Sequence, residues 1–114
     1  MSVPADAVLM QVSKAKLEAW PIPEANVVSG KPRAAGKLLQ GDGRAETGIW
    51  ECTPGTFTWD YDTRQSLCVV SGSATVRVGR RTLALKPGSA VFIAAGTHAR
   101  WTVTKTLRKL YTLY

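Results

Sequence analysis

The sequence is poor in the side chains that most often bind metals or form disulfides. It has one histidine, His98, and two cysteines, Cys52 and Cys68, in 114 residues. Two cysteines are too few for a disulfide scaffold, and their separation excludes a Cys-x-x-Cys motif. A single disulfide and two free thiols are both open alternatives. We expect free, buried thiols, because a reducing compartment disfavours disulfides and the small thiol packs well in an interior.

Long apolar runs are also missing. No segment approaches the length of about 18 apolar residues that a membrane-spanning helix needs. The first residues show no basic segment followed by an apolar stretch, as a secretory signal would. We therefore expect a cytoplasmic location and no membrane partner. The length suits one domain with its own core and is too short for two ordinary domains.

Acidic residues are absent after Asp62, whereas nine arginines and lysines follow that position, and the net charge is +7. The C-terminal half is therefore a basic surface suited to anions or to an acidic neighbour. Basic stripes also bind nucleic acid backbones. No helix-turn-helix, zinc finger or aromatic-basic stacking motif accompanies these residues, so we predict a solvated basic face and no nucleic acid partner.

The chain is rich in short runs of Val, Ile, Thr, Trp and Phe from Ala45 onward, separated by Gly and Pro every eight to twelve residues. This spacing predicts an all-β sandwich or barrel. The predicted strands lie near residues 37–40, 45–52, 56–61, 65–71, 73–78, 81–86, 89–94, 99–104 and 107–113. Gly79-Arg80 predicts a two-residue hairpin, Pro87-Gly88 a type II turn, and Gly41-Asp-Gly a further turn. Before them, Ser13 as a cap predicts a short helix over 13–20 that Pro21 ends.

Several motifs together resemble one family. They are Trp50-Glu-Cys-Thr-Pro-Gly-x-Phe-x-Trp59, then Val69-Val-Ser-Gly72, and a closing Leu107-Arg-Lys-x-Tyr111. The chain over about residues 25–114 is similar to the small single-domain cupins related to (S)-ureidoglycine aminohydrolase. The resemblance implies a cupin double-sheet jelly-roll barrel over residues 25–114, preceded by an irregular N-terminal arm over residues 1–24. It also implies a homodimer and a ligand in the mouth of the barrel.

The metal ligands of the cupin family are replaced in this sequence. Aligning the family's two motifs on the glycines of this chain puts the ligand positions at Trp59, Tyr61, Gln65 and Ala99. An indole, a neutral phenol, an amide and a methyl group do not supply the imidazole and carboxylate donors of a catalytic metal centre. We therefore expect no metal and no other cofactor, and whether the protein is an enzyme stays open.

The candidate ligand-binding residues are mostly aromatic. Strand alternation turns Trp59, Tyr61 and Gln65 inward together and places Asp60 and Asp62 on the opposite face. The other candidates are Trp50, Trp101, Lys109 and His98. Core filling is the alternative for each aromatic residue, a snorkelling surface position is the alternative for Lys109, and a surface or mouth-lining position is expected for His98.

Three functions are compatible with these features. The first is a metal-independent cupin that binds a small polar or anionic metabolite inside its barrel. The second is an enzyme of ureide metabolism similar to (S)-ureidoglycine aminohydrolase. The third is a non-catalytic dimeric structural module with a filled barrel. An internal cavity would separate the third from the other two.

Overall fold

The computed structural model describes residues 7–42 and 44–114, and these residues form a nearly all-β structure. The strands are β1 (Glu18–Ala19), β2 (Val27–Gly30), β3 (Ala34–Gly41), β4 (Glu46–Cys52), β5 (Gly55–Asp60), β6 (Gln65–Val78), β7 (Arg81–Leu85), β8 (Ala90–Ile93) and β9 (His98–Leu113). Within the described ranges the one helical segment is a 3-10 turn, Glu24–Asn26, and no helix could cross a membrane. Residues 1–6 of the predicted arm and Gly43 of the predicted turn lie outside the described residues.

All nine strands pair antiparallel in one curled sheet. Strands β1, β3, β4, β9, β5 and β2 follow one another across it, while β6 pairs with β7, β8 and β9. Because β9 pairs with β4, β5 and β6, it joins the two halves of the barrel. The predicted all-β jelly roll is confirmed.

Two pairs of predicted strands are single long strands in the structure. Strand β6 runs through Gly72, and β9 runs through Lys105 and Thr106. The β6–β9 register shifts near Gly72, which has a φ of 84° and lies so close to β9 that a Cβ atom there would be 2.0 Å from the Thr106 carbonyl oxygen. Glycine therefore bends the strand without ending it.

The helix predicted over residues 13–20 is wrong. Residues 12–14 form a turn, and β1 then pairs with β3. Backbone carbonyl groups just before and within the predicted helix are bound instead by a side chain from β9. The Arg108 guanidinium donates to the carbonyl oxygens of Val12 at 2.7 Å and Ala15 at 3.3 Å, and also to Glu51 at 3.1 Å. The arm is thereby fixed to the outside of the barrel.

Both predicted turns in the C-terminal half are present. Val78 pairs with Arg81 around the Gly79-Arg80 hairpin. At Pro87-Gly88, the Ser89 amide donates to the Lys86 carbonyl at 2.9 Å, as in a type II turn.

Alternation along the strands decides which side chains form the interior. On β6, Leu67 and Val69 are buried, whereas Cys68 between them is exposed. The thiols of Cys52 and Cys68 are both free, as predicted. Cys52 is buried but Cys68 is exposed, so the prediction of a buried Cys68 is wrong. The core also contains Phe57, Val76, Leu85, Ile93, Trp101, Val103, Leu107 and Tyr111.

Candidate functional site

The barrel contains a cavity of about 540 Å³ that is open to solvent at one end. Its walls come from β4, β5, β6 and β9 and from the arm segment Ala19–Ile22. Trp20 belongs to this segment and lies against β3, because Gly36 leaves room for its indole. One side of the cavity is therefore formed by residues of the predicted N-terminal arm. Strand alternation alone gave no signal for this contribution.

Among the residues that the structure describes, Lys109 is the only lysine that lines the cavity, and its side chain is buried, with 5% of the residue exposed. The Lys109 ammonium nitrogen donates to Gln65 Oε1 at 3.0 Å and lies 4.6 Å from the ring centres of both Trp50 and Trp101. Burial lowers the pKa of Lys109 to about 7, and the nearby Cys52 opposes this shift. The alternative prediction, in which the Lys109 side chain extends to the protein surface, is therefore wrong.

Within the described ranges no acidic side chain lies at ion-pair distance from Lys109. The ion pairs there are His98 with Asp60 and Arg108 with Glu51, and neither includes Lys109. Its hydrogen-bond acceptor, the Gln65 amide, is neutral. A buried ammonium group with only neutral partners is costly, so the site favours either a neutral amine or an anion brought by a ligand.

A buried carboxylate, that of Glu46, also lines the cavity. Glu46 is 8% exposed and accepts a hydrogen bond of 2.6 Å from the Tyr111 hydroxyl. Burial and the neighbouring Glu46 raise the pKa of Tyr111. The sequence reasoning missed Glu46. Its position four residues before Trp50 on β4 was the available signal, because that spacing puts both side chains on one face.

Aromatic rings form the apolar wall. Phe57 and Trp101 are stacked with centroids 6.4 Å apart, and Trp50 is tilted against both. The Trp101 Nε1–H donates to the Tyr61 hydroxyl at 3.0 Å. The hydroxyl is the acceptor of that bond, so its own proton is available to a ligand. Burial raises the pKa of Tyr61, which keeps the hydroxyl protonated.

The structure brings together six of the seven predicted site residues. Around the one cavity lie Trp50, Trp59, Tyr61, Gln65, Trp101 and Lys109. Trp59 is at its exposed edge, with 39% of the residue accessible. Asp60 and Asp62 are exposed and line the same cavity, so the prediction that they lie on the face opposite to Trp59 and Tyr61 is wrong, because β5 ends at Asp60 and its alternation does not continue beyond it. Whether these residues bind a ligand stays a prediction.

His98 lies apart from this cavity. It is exposed at the start of β9, where its Nδ1 pairs with Asp60, and it borders a second depression together with Arg77 and Arg100. His98 lies one residue before Ala99, which occupies the family's histidine position. Adjacent residues on a strand face opposite sides, so His98 faces away from the cavity.

The residues at the family's metal position do not fit a metal ion. Trp59 pairs directly with Ala99 across β5 and β9, and Tyr61 and Gln65 complete the set of four. No group of three or more His, Cys, Asp or Glu side chains gathers anywhere in residues 7–42 and 44–114. The donor chemistry needed for a transition metal is therefore not assembled at this position.

Comparison with known proteins agrees with the barrel architecture. Residues 39–111 match the family of EutQ-like cupin domains. The match carries no specific tie to (S)-ureidoglycine aminohydrolase. A search of the curated proteins finds no match.

Three solved structures share the fold. The EutQ protein of Clostridium difficile aligns over 93% of this chain and 85% of its own, with 19% identity and a TM-score of 0.73. The putative ethanolamine utilization protein Q of Salmonella typhimurium aligns over 72% and 69%, with 20% identity and a TM-score of 0.66. A Pseudomonas syringae protein of unknown function aligns over 89% of this chain but 45% of its own, with 23% identity and a TM-score of 0.79.

Proposed function

Because the chain belongs to the family of EutQ-like cupin domains, we propose that it binds a small polar, anionic metabolite in the barrel cavity without a metal. The observation that carries this proposal is the buried amine of Lys109, whose hydrogen-bond partner is neutral. A carboxylate or similar anion would supply the missing counter-charge. Compensation of this kind makes burial of an ammonium group acceptable.

The cavity has the character of a metabolite site. Pockets of about 300–1,000 Å³ with mostly apolar walls and a few polar groups are usual for small ligands. Here the walls are aromatic, and the polar groups are Lys109, Gln65, the Tyr61 hydroxyl and the Glu46–Tyr111 pair. Because the cavity wall carries both the Glu46 carboxylate and the Lys109 amine, a ligand with a hydrogen-bond donor and an anionic group matches this lining.

Anion binding should be linked to protonation of Lys109. Without a ligand the pKa of Lys109 is about 7. A bound anion stabilises the ammonium form and therefore raises this pKa. Above pH 7, binding therefore requires uptake of a proton. Affinity should fall by up to about tenfold for each pH unit above 7 and level off below it.

A thermal-shift screen tests the proposal. Ureides, small carboxylates and amino acids are added at millimolar concentration to the wild-type protein, Lys109→Met and Lys105→Met. Lys105 is exposed on the same strand, so its variant is the matched control. A ligand at about 100 times its Kd adds about 2.7 kcal/mol to the stability of the folded state. The shift should persist in Lys105→Met and disappear in Lys109→Met.

A second variant separates charge from packing. Gln65→Glu places a carboxylate next to Lys109, so the internal ion pair should replace the ligand and abolish anion binding while the fold is kept. No stabilisation of the wild-type protein by any anion, or equal stabilisation of Lys109→Met, would refute the proposal.

A reaction like that of (S)-ureidoglycine aminohydrolase is a finer proposal that rests on the sequence resemblance. Release of ammonia from ureidoglycine, measured with and without added manganese, tests it directly. The residues at the family's metal position favour simple binding over this reaction.

The structural-module alternative has less support, because the barrel contains a cavity and is not filled by its side chains. We propose that the protein is nevertheless a homodimer, as the resemblance implies. A cytoplasmic location and the lack of nucleic acid and membrane partners also remain predictions.

A further inference from the structure

The Lys109 amine is placed as a nucleophile would be. Its nitrogen lies over the rings of both Trp50 and Trp101, at 4.6 Å from each centre, and its side chain lines the cavity wall. Gln65 Oε1 accepts its hydrogen bond and orients it, and an amide oxygen does not hold the amine in its charged form as a carboxylate would. Lysines in such desolvated surroundings react as neutral amines.

We propose that Lys109 condenses with a small aldehyde or ketone in the cavity and holds it as an imine. This inference rests on the proposed function in that it uses the same ligand cavity, and it names a chemical class for the occupant. It goes further in assigning covalent chemistry to a chain whose cupin metal position lacks metal donors.

The reaction is balanced without a further reactant. The lone pair of the neutral Lys109 nitrogen forms a bond to the carbonyl carbon, and the π electron pair of the carbonyl moves to its oxygen. That oxygen gains one proton while the nitrogen loses one, which gives a carbinolamine. Loss of the hydroxyl group and the second nitrogen proton as one water molecule then leaves the C=N bond.

Groups around Lys109 suit both steps. The Tyr61 hydroxyl accepts from Trp101, whose ring also contacts the Lys109 amine, and its free proton can be donated to a carbonyl oxygen. The apolar walls limit the access of water that would hydrolyse the imine.

Other titratable groups face the same space. Cys52 on β4 is buried near Lys109 but does not line the cavity, and burial raises the pKa of its thiol to about 11, so it stays neutral at pH 7. The remaining titratable side chains of the cavity are Glu46, Asp60, Tyr61, Asp62 and Tyr111. At pH 7 an exposed lysine is almost entirely protonated, whereas about half of a lysine with a pKa near 7 is neutral.

Reductive trapping tests the imine. The wild-type protein is incubated with propanal and sodium cyanoborohydride at pH 7, and peptide mass mapping locates each propyl group. Propanal carries no charge, so its capture does not depend on anion binding. We expect Lys109 to be modified at least about tenfold faster than the exposed Lys105.

Two variants control for structure. Lys109→Met removes the amine but keeps an unbranched apolar side chain. The total number of propyl groups incorporated should therefore fall by the number that the wild-type protein carries on Lys109. Gln65→Glu keeps the amine but stabilises its charged form, so labelling of Lys109 should drop to the rate of an exposed lysine. Circular dichroism checks that both variants are folded.

Labelling of Lys109 at or below the rate of Lys105 in folded wild-type protein would overturn the inference. The proposed function fails separately, through the absence of any anion-dependent thermal shift. Faster labelling of Lys109 without thermal stabilisation by any anion would support the imine alone. Thermal stabilisation by an anion without faster labelling of Lys109 would overturn the imine and support only non-covalent binding.

Discussion

At the scale of single residues, the Lys109 side chain is subject to opposing effects. Desolvation disfavours its charge, whereas the two indole faces and the Gln65 oxygen interact with it favourably. The net effect is a pKa lowered to about 7. The amine can therefore change its protonation state when a ligand enters, which an exposed lysine does not do near neutral pH.

This shift makes stability depend on pH with a defined sign. Below pH 7 Lys109 is protonated in both states, so the folded state bears the full cost of the buried charge. Between pH 7 and the ordinary lysine pKa of 10.5, the unfolded chain binds more protons, and stability rises with pH. From pH 7 to pH 8.5 the gain from this group should be about 2 kcal/mol.

Urea unfolding of wild-type protein and Lys109→Met over pH 6 to 8.5 measures this contribution. The pH-dependent gain should be present in the wild type and missing in the variant, which should be the more stable of the two at pH 6. The range stops below the pKa of Cys52, which would add an opposite slope. Parallel pH profiles for the two proteins would contradict the burial of a charged Lys109.

Sequence reasoning reached only part of this residue-level description. Alternation along β9 puts Lys109 on the same face as Leu107 and Tyr111, and all three residues are buried, since that information is local to the strand. Whether the amine was buried or extended to solvent depended on Trp50, Trp101 and Gln65, which come from other strands. Glu46 was missed for the same reason, because its partner Tyr111 is 65 residues away.

At the scale of secondary-structure elements, the N-terminal arm is part of the site. Trp20 donates its backbone N–H to the Ala34 carbonyl at 3.0 Å and lies over Gly36, where a Cβ atom would be 2.1 Å from the indole. The following residues, Pro21 and Ile22, line the cavity. The arm therefore depends on a glycine on β3 for its close approach.

Gly36→Ala should force Trp20 away from β3 and destabilise the fold by about 1–3 kcal/mol. The cost should be smaller by about 1 kcal/mol or more in a Trp20→Ala background, where the indole is gone. Urea unfolding of the two single variants and the double variant measures the coupling. Lys37→Ala, at an exposed position on the same strand, is the control. Additive effects would show that Trp20 does not occupy the space above Gly36.

The elements differ in how well the sequence predicted them. Strands β4 to β9 follow from local runs of β-forming residues and turn signals, and their bounds agree within a few residues. The helix over 13–20 was wrong because the carbonyl groups of Val12 and Ala15 bind Arg108, a contact across more than 90 residues. The breaks predicted at Gly72 and near Lys105 were wrong because strand bending, not a turn, occurs there.

At the scale of the whole molecule, the outer face of the barrel carries an apolar patch. Cys68 pairs with Ala90 on one side and with Leu110 on the other. Cys68 and Ala90 are exposed, Leu110 is half-buried, and Phe92, on the same face of β8, is 57% exposed. Strand β8 pairs only with β6, so this patch reaches the edge of the sheet within the described residues. A second copy of the chain would cover it in the proposed homodimer.

The dimer can be tested at this patch. Sedimentation velocity of the wild-type protein should give twice the chain mass of 12.3 kDa. Phe92→Lys places a charge in the patch, and burying that charge without a partner is costly, so the variant should sediment as a monomer. Val28→Lys is the matched control, because Val28 is 47% exposed on β2, which pairs with β5 on the opposite branch of the sheet. A monomeric wild type, or dissociation by Val28→Lys with an unaffected Phe92→Lys, would place the dimer interface elsewhere or remove it.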